Sequence, residues 1–426
     1  MLRTWHKTAR ALTAVTAAGA LLGGVAPAAS AASAGGCLDR AADLTVEEQR
    51  LDQAVPQRVL DGTGFDRFVE RFTHRLCSVS TSEAAVALMR SQGSRLWDAA
   101  VARAQGERPA RGELARADDR PLYWARLGIT RALRQWDPPF ALDQQRRTEL
   151  LRTFIRASRG QTSIDFPAGD GVDRILVSGF DPFQLDSDIR HSNPAGSVAL
   201  ALDGTVIHTD SGPARVETAM FPVLWKPFER GMVEHTFLPY LKEGKRQVDM
   251  FTTVSQGRPG QFDIERYNGR WHEGEDNNRE RRRGTIPVPD DVPTVTPAPE
   301  FVPTTLPYEA ITDADTGRFP VYDNTTVTEI PAGETEPVER PGGPTPGSTA
   351  RAGSGGSYLS NEVAYRTTLL REAVDADLPG GHVHTPVLKF GPDNDSRVTD
   401  PAFERNRRDI VAQTHEIITV AAGTLD

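Results

Sequence analysis

An acid, a hydroxyl and an imidazole occur in three short segments that lie far apart in this chain. Glu265 lies in an Ile-Glu-Arg segment, Ser360 in Gly-Ser-Tyr-Leu-Ser-Asn, and His384 in His-Thr-Pro. In this combination a hydroxyl acts as the nucleophile, an imidazole takes its proton and a carboxylate orients the imidazole. The three residues therefore indicate acyl-transfer chemistry, provided that folding brings their side chains together.

Two of the three residues, Glu265 and Ser360, also have a plain structural explanation. Glu265 can be a surface carboxylate paired with Arg266, which is the commoner role for a single glutamate. Ser360 or Asn361 can be the N-cap of a helix that starts there. The residue types alone do not decide between these alternatives.

Ser360 precedes a predicted helix over residues 362–373. The unpaired backbone N–H groups and the positive dipole end of that helix would stabilise an oxyanion near the hydroxyl. Ser354 and Ser357 compete with Ser360 as nucleophiles, but they lie in a flexible glycine run. The segment is not the G-x-S-x-G elbow of α/β-hydrolases.

His382 and His384 alternate on a predicted strand over 382–388, so we expect both side chains on one face of it. A zinc site would need a third ligand, and none is apparent nearby in the sequence. A histidine before Thr385-Pro386 at the end of a strand is better placed as a general base.

Two further segments follow predicted strands and end in turns. Residues 179–183 read Gly-Phe-Asp-Pro-Phe after the apolar run 175–177, and residues 254–258 read Val-Ser-Gln-Gly-Arg. Ligand pockets in α/β folds lie at the carboxyl ends of strands. Phe180 and Phe183 would wall a flat apolar pocket there, unless they are core residues of a buried turn.

The order of predicted elements from residue 174 onward is that of an α/β protein. A strand at 175–177, a helix opened by Asn193-Pro194 and a strand at 248–254 form a parallel unit. Helices at 362–373 and 400–422 follow. Before this part, apolar residues recur every three or four positions, which predicts helices at 82–101, 121–133 and 143–156.

The predicted organisation has three parts. Residues 1–34 form a signal peptide, residues 35–170 a helical N-terminal extension, and residues 171–426 an α/β domain. Thirteen of the 31 prolines fall in an insert at about 283–350 of that domain. Its composition predicts a long loop or a partly disordered segment, in which 304–307 is a possible island of structure.

The first residues of the chain resemble an export signal. Arg3, Lys7 and Arg10 precede an alanine-rich apolar run at 11–25, and Ala-Ser-Ala occurs at 29–31 and 32–34. This pattern predicts a secreted, extracellular protein. No later stretch is long enough and apolar enough to predict a membrane span.

Cys37 and Cys77 are the only two cysteines of the chain. In an oxidising compartment a disulfide between them is the expected outcome. The alternative is lipid attachment at Cys37, although the residues before it lack the usual leucine. Neither cysteine lies near the three chemical segments, so the nucleophile there is not a thiol.

Composition excludes some classes of partner. The chain has 426 residues, 38% of them hydrophobic and 25% charged, and a formal net charge of -9. A nucleic-acid-binding protein would need a basic face, whereas the basic cluster at 279–283 lies beside acidic residues. We therefore expect no nucleic-acid partner, and the oligomeric state is left open.

Taken together, the segments resemble the pyroglutamyl peptidase I, or pyrrolidone-carboxylate peptidase, family of cysteine peptidases. That family carries G-F-[DE]-P-F followed by N-P, then G-Q-x-G-G-R with E-R, G-[ST]-[FY]-V-C-N, and G-x-[IV]-H-[VIT]-P. The resemblance covers residues 172–425 apart from the proline-rich insert. The matching positions in this chain are 179–183, 193–194, 256 with 258, 265–266, 356–361 and 380–386.

The resemblance implies a three-layer α/β/α sandwich with a mixed, mostly parallel sheet and no cofactor or metal. It implies removal of an N-terminal pyroglutamyl residue from a peptide substrate. Glu265 would orient His384, and His384 would be the base. The pocket for the pyroglutamyl ring would be lined by Phe180, Phe183 and Tyr358, with Gln256 close by.

This chain departs from the family at the nucleophile, because Ser360 stands where the family has its cysteine. Predicted export is the second departure. A reactive thiolate is easily oxidised in an oxidising compartment, whereas serine is not. Serine also needs a stronger base, so two outcomes follow: a Ser/His/Glu hydrolase, or an inactive relative that binds a small ligand or a peptide N-terminus.

Overall fold

The structure is a computed structural model that describes residues 36–166 and 171–425. Its N-terminal part is helical. Its longer helices begin where the sequence places them, since Thr81 and Asp143 cap α4 and α6 by accepting a hydrogen bond from a backbone N–H group. The helices are α1 Val46–Gln49, α2 Ala54–Thr63, α3 Asp66–Cys77, α4 Ser82–Ala104, α5 Arg120–Gln135 and α6 Gln144–Ala157, with a 3-10 turn at Arg50–Asp52. The expected helical N-terminal region is confirmed.

A disulfide joins Cys37 to Cys77, with 5.4 Å between the two Cα atoms. It ties the beginning of the described chain to the end of α3. The structure therefore has the predicted pairing of Cys37 with Cys77. The predicted signal peptide at 1–34 lies outside the described residues.

A seven-stranded sheet forms the centre of the second part. Its strand order is β10-β5-β14-β4-β1-β3-β2. The four strands β14, β4, β1 and β3 are parallel to one another, β5 and β2 join them antiparallel, and β10 is parallel to β5. The strands are β1 Asp173–Phe180, β2 Thr205–His208, β3 Pro213–Phe221, β4 Met250–Gln256, β5 Phe262–Glu265, β10 Val321–Asn324 and β14 Gly380–Thr385.

Helices cover both faces of this sheet, because successive side chains of each buried strand point to opposite sides. On β1, Ile175 and Val177 pack in one apolar cluster and Leu176 in another. The first cluster includes α7 Pro194–Leu202, α10 Tyr308–Asp313 and α12 Pro401–Ala422. The second includes α8 Trp225–Glu229, α9 Met232–Leu241 and α11 Leu359–Ala373. The fold is the expected three-layer α/β/α sandwich with a mixed, mostly parallel sheet.

The proline-rich segment differs from its sequence-based expectation. Instead of a long loop, it holds short elements: β9 Phe301–Pro303, α10, β10, β11 Val327–Ile330, β12 Val338–Arg340 and the first half of β13 Thr349–Ala352. β11 lies between β12 and β13 in an antiparallel sheet. The hairpin strands β7 Trp271–Glu275 and β8 Arg281–Thr285 precede it, and β6 Tyr267–Gly269 pairs with β9.

A few apolar residues explain this difference. Val302, Leu306, Ile311 and Val327 are each at most 3% exposed, so the segment contributes to the core despite its prolines. Leu306 and Ile311 join the cluster on the α12 face of the main sheet. The average composition of the segment does not reveal these few, widely spaced buried residues.

Within the described ranges, the helices include none that is both long and apolar enough to cross a membrane.

Gly179 gives a test of the close packing between β1 and α7. A Cβ atom at this position would lie 2.2 Å from the backbone oxygen of Ala195. We expect Gly179→Ala to lower the free energy of unfolding by about 1 to 3 kcal/mol, because the helix backbone must move. Urea denaturation measures the change. Gly284→Ala is the matched control, since its added methyl group would have no neighbour within 4 Å; equal stability of the two variants would contradict this packing.

Candidate active site

One cavity of about 1070 Å³ opens at the edge of the sheet where β1 and β4 end. All seven residues that the sequence assigns to catalysis or substrate binding line it: Phe180, Phe183, Gln256, Glu265, Tyr358, Ser360 and His384. The structure therefore brings these seven residues together around one cavity.

Three strands bring the acid and the base together. β14 is parallel to β4 and antiparallel to β5, so its last residues lie beside the last residues of β4 and the first residues of β5. His382 is the register partner of Glu265, and His384 is that of Ser255. Because β5 runs opposite to β14, Glu265 reaches His384 diagonally across the ladder.

A hydrogen bond of 2.7 Å joins His384 Nδ1 to Glu265 Oε1. Both residues are buried, at 6% and 1% exposure. An ionised carboxylate only accepts hydrogen bonds, so it holds the imidazole proton on Nδ1 and leaves Nε2 free to take a proton. This is the geometry of an oriented general base.

The alternative in which Glu265 is a surface partner of Arg266 is wrong. Arg266 Nη1 instead donates to Asp323 Oδ2 at 2.8 Å, and its guanidinium lies over the Tyr308 ring. Glu265 therefore faces the cavity while the next residue faces away from it, as alternation along a strand requires.

Ser360 is the second residue of α11. Tyr358 is the N-cap residue of this helix, so Ser360 is not its cap. The N–H groups of the first turn have no carbonyl partner within the helix, which leaves the backbone around Ser360 able to bind a negative oxygen. Ser360 and His384 both belong to the described part of the chain, and no hydrogen bond joins Ser360 Oγ to the His384 imidazole there.

Asn361 is not a cap either. Its side-chain amide accepts from Gly269 N at 2.9 Å and donates to Gly269 O and Trp271 O at 2.8 and 2.9 Å. It thereby fixes the start of α11 to the β6–β7 segment. Its role in the structure is to hold the helix end that carries Ser360.

Two glycines allow the backbone to approach the imidazole. A Cβ atom on Gly257 would lie 2.5 Å from His384 Cβ, and one on Gly355 would lie 3.2 Å from His384 Cε1. Larger residues at either position would displace the ring. The glycine-rich segment before Ser360 therefore serves to pack against the base as well as to form a turn.

His382 lies next to the base, with 4.6 Å between the two imidazole centroids. Burial, and secondly the neighbouring His384, lower the pKa of His382 well below its usual value. Its Nδ1 is hydrogen-bonded to Thr253 Oγ1 at 2.7 Å. His382 is therefore neutral and does not add a positive charge beside His384.

Aromatic rings form an apolar side of the cavity. The rings of Phe183 and Tyr358 lie 6.2 Å apart, and Tyr358 also makes an edge contact with Trp225 at 5.4 Å. Tyr358 Oη donates to Glu275 O at 2.7 Å, which fixes the ring. Phe180 is 3% exposed and packs on Phe221 and Phe228, so it belongs both to the core and to the cavity.

The proline-rich segment supplies residues of the cavity that sequence reasoning did not identify. Asn324 Nδ2 donates to Glu265 Oε2 at 2.8 Å. The wall beyond it is lined by Thr326, Val327, Thr328 and Glu339. No motif marks these positions; the only available signal was a run of polar and β-branched residues between prolines.

Comparison with known proteins accounts for both parts of the chain. A family model described as PA0049 N-terminal domain matches residues 28–154, and one described as PA0049, C-terminal domain matches residues 174–317 and 307–389. The uncharacterized protein PA0049 of Pseudomonas aeruginosa is 34% identical over 501 aligned positions, which cover 91% of this chain and 90% of that protein. The chain belongs to the PA0049 family.

Solved structures with partial likeness include pyroglutamyl peptidases. A mutant pyrrolidone carboxyl peptidase of Pyrococcus furiosus is 22% identical, covers 59% of this chain and 100% of its own, and has a TM-score of 0.39. Pyroglutamyl peptidase I of Bacillus amyloliquefaciens is 18% identical, covers 60% of this chain and 98% of its own, and has the same TM-score of 0.39.

In this member of the PA0049 family, the helical region holds the Phe180–Phe183 turn from behind. Asp181 is fully buried and accepts from Arg126 Nη1 at 2.6 Å and from Arg159 Nη2 at 2.5 Å. Its carboxylate therefore points toward the helices and not into the cavity. Removing either arginine would leave a buried charge without a partner, which is costly. The two ion pairs of Asp181 therefore hold the turn that carries Phe180 and Phe183 in place.

A second contact joins the helical region to the same turn. Glu47 Oε1 accepts from Tyr123 Oη at 2.8 Å and from Asn277 Nδ2 at 3.2 Å. The Asn277 amide also donates to Pro182 O at 2.8 Å. Burial, and secondly the charge of Asp181, raise the pKa of Glu47 to about 7.

The described residues contain no group of three or more His, Cys, Asp or Glu side chains arranged to hold a metal ion.

The raised pKa of Glu47 predicts a pH dependence of stability. Its folded value of about 7 exceeds the ordinary 4.5, so the folded state holds a proton that the unfolded state releases, and stability falls as pH rises from 4.5 to 7. Glutamine does not bind this proton, so Glu47→Gln does not lose stability in this way as the pH rises. The free energy of unfolding of the variant minus that of wild type should therefore increase by about 3 kcal/mol between pH 4.5 and 8.

Urea denaturation at several pH values measures this difference. The matched control is Glu70→Gln, because Glu70 is an exposed glutamate of the same helical region. A difference between Glu47→Gln and wild type that is the same at every pH would show that Glu47 does not bind a proton on folding.

Proposed function

We propose that this protein is a hydrolase that removes an N-terminal pyroglutamyl or related residue from peptides through an acyl-enzyme on Ser360. The observation that carries the proposal is the hydrogen bond between Glu265 and His384 at a cavity that Ser360 also lines. The motif resemblance described above supports the substrate class.

In the proposed reaction, Ser360 Oγ attacks the amide carbonyl carbon while His384 Nε2 takes the hydroxyl proton. Glu265 stabilises the resulting imidazolium, and the N–H groups at the start of α11 bind the carbonyl oxygen as it becomes negative. His384 then gives the proton to the leaving amine. Water hydrolyses the acyl-enzyme with His384 again acting as the base.

The cavity lining suits a compact cyclic residue at the scissile bond. A lactam ring is flat, with an apolar edge and a polar amide edge. The rings of Phe183 and Tyr358 offer an apolar contact, and Gln256 offers an amide that can donate and accept. The volume of about 1070 Å³ leaves room for the residues that follow in a peptide.

One observation favours a second candidate, a relative that binds the same ligand without cleaving it. Ser360 Oγ and His384 share no hydrogen bond among the described residues, whereas serine depends on such a contact for activation. Thiolates form more readily than alkoxides, so a site shaped for sulfur tolerates a longer distance. Catalysis by Ser360 requires the two side chains to approach each other when the substrate binds.

We further propose that the protein is secreted. The charged and apolar pattern of residues 1–34 supports export, and the disulfide between Cys37 and Cys77 suits an oxidising compartment. Mass spectrometry of the protein from culture medium should find an N-terminus at Ala32 or Gly35. An intact N-terminus and purely intracellular protein would contradict export.

A pyroglutamyl-coumarin substrate tests the proposed activity. We expect turnover by the wild type and a loss of at least 1000-fold in kcat for Ser360→Ala, since the nucleophile is removed. Ser357→Ala is the matched control, because Ser357 is a neighbouring serine that does not line the cavity; it should retain wild-type kinetics.

Ser360→Cys separates the two candidate functions. Turnover that appears only in this variant would mean that the pocket accepts the substrate but the serine is not activated, which is the binding candidate. Absence of turnover in the wild type and in the cysteine variant would sink the pyroglutamyl assignment itself.

A further inference from the structure

We infer that Asn324, from the proline-rich segment, is a positioning residue that fixes Glu265 and the loop before Ser360 in one arrangement. The inference rests on the proposed function, because positioning acquires a meaning only if the Glu265–His384 pair acts on Ser360. It adds a fourth residue to the three that the sequence motifs identify.

The first evidence is that each oxygen of the Glu265 carboxylate has a hydrogen-bond partner. Oε1 is hydrogen-bonded to His384 Nδ1 at 2.7 Å, and Oε2 accepts from Asn324 Nδ2 at 2.8 Å. A carboxylate held at one oxygen can still rotate about its last bond. With a partner on each oxygen its plane is fixed, and so is the direction in which it holds the imidazole.

The second evidence is that the same amide nitrogen binds the nucleophile loop. Asn324 Nδ2 also donates to Ser354 O at 2.8 Å. An amide NH2 group has two hydrogens, so one serves Glu265 and the other serves Ser354. Asn324 thereby links the strand that carries the acid to the glycine-rich segment that leads into α11.

The backbone around Asn324 is itself held in register. In the parallel pairing of β10 with β5, Asn324 is the partner of Glu265, and Arg266 N donates to Asn324 O at 3.0 Å. Ser354 is likewise fixed, because its Oγ accepts from Tyr267 N at 3.0 Å. The Asn324 side-chain amide therefore connects strand β5 to the segment around Ser354, and hydrogen bonds hold both of these segments in place.

A purely structural role for Asn324 is the alternative. In that case its contribution would be to attach β10 to the sheet edge, and an isosteric side chain would serve nearly as well. Asn324→Asp distinguishes the two, since aspartate has the same shape but cannot donate at the position facing Glu265 Oε2. It also places a second negative charge beside a buried carboxylate.

Steady-state kinetics on the pyroglutamyl-coumarin substrate form the first arm of the test. We expect kcat to fall about 10- to 100-fold in Asn324→Ala and further in Asn324→Asp, with KM changed less than about twofold, because orientation and not binding is lost. Tyr322→Thr is the matched control, since Tyr322 lies on the same strand and is 50% exposed. It should keep wild-type kcat.

The second arm needs no substrate. In Ser360→Cys the new cysteine is the single free thiol, because Cys37 and Cys77 are bonded to each other. At pH 6.5 an ordinary thiol of pKa near 8.5 is only about 1% ionised, so fast alkylation by iodoacetamide reports proton transfer to a well-oriented His384. Adding Asn324→Ala should slow alkylation at least fivefold, whereas adding Tyr322→Thr should not.

The two arms separate failure of the inference from failure of the proposed function. If the wild type hydrolyses the substrate but Asn324→Asp keeps its kcat, or if alkylation is equally fast in both double variants, the positioning role is overturned. If neither the wild type nor Ser360→Cys turns over, the proposed hydrolysis fails, and the alkylation rates still decide whether Asn324 orients the base. Circular dichroism and urea denaturation exclude unfolded variants in either arm.

Discussion

The hydrogen bond between Glu265 and His384 is the constraint on which the arrangement of the candidate active site depends. A carboxylate taken out of water loses its hydration, so it is tolerated in the interior only when its oxygens have partners. Glu265 is 1% exposed, and both of its oxygens are occupied. The antiparallel pairing of β5 with β14 places His384 within reach of Glu265, and the parallel pairing of β10 with β5 places Asn324 within reach of it.

The rest of the molecule can be understood as support for this edge of the sheet. The helical N-terminal region holds the Phe180–Phe183 turn through Asp181, whose carboxylate lies between Arg126 and Arg159. The proline-rich segment holds the opposite side through Asn324.

The fold and much of the cavity were accessible from the sequence for physical reasons. Buried strands appear as short apolar runs, and a glycine or proline turn at the end of each marks the edge where side chains converge. Helices with a clear cap, such as α6 after Asp143, were also predicted closely. The disulfide followed from there being two cysteines and no others.

What the sequence did not reveal depends on contacts between distant segments. Asn324 looks like any polar residue near a proline, and only the pairing of β10 with β5 gives it a carboxylate to bind. The order of the proline-rich segment was missed because a few buried residues such as Ile311 are diluted by its average composition. Arg126 lies inside a helix whose period predicts burial, but its ionic partner is 55 residues away.

These contacts around Glu265 matter because the residue at the nucleophile position is a serine and not a cysteine. A free thiol has a pKa of about 8.5, and a positive neighbour such as a protonated histidine lowers it enough for the thiolate to exist before attack. A hydroxyl gives up its proton only during attack, and it then needs an imidazole whose free nitrogen is already directed toward it. If Ser360 is the nucleophile, the carboxylate that directs the imidazole must have little freedom of rotation. A second hydrogen-bond partner on Glu265, contributed by a segment outside the motifs, is the kind of constraint that a serine in this position requires.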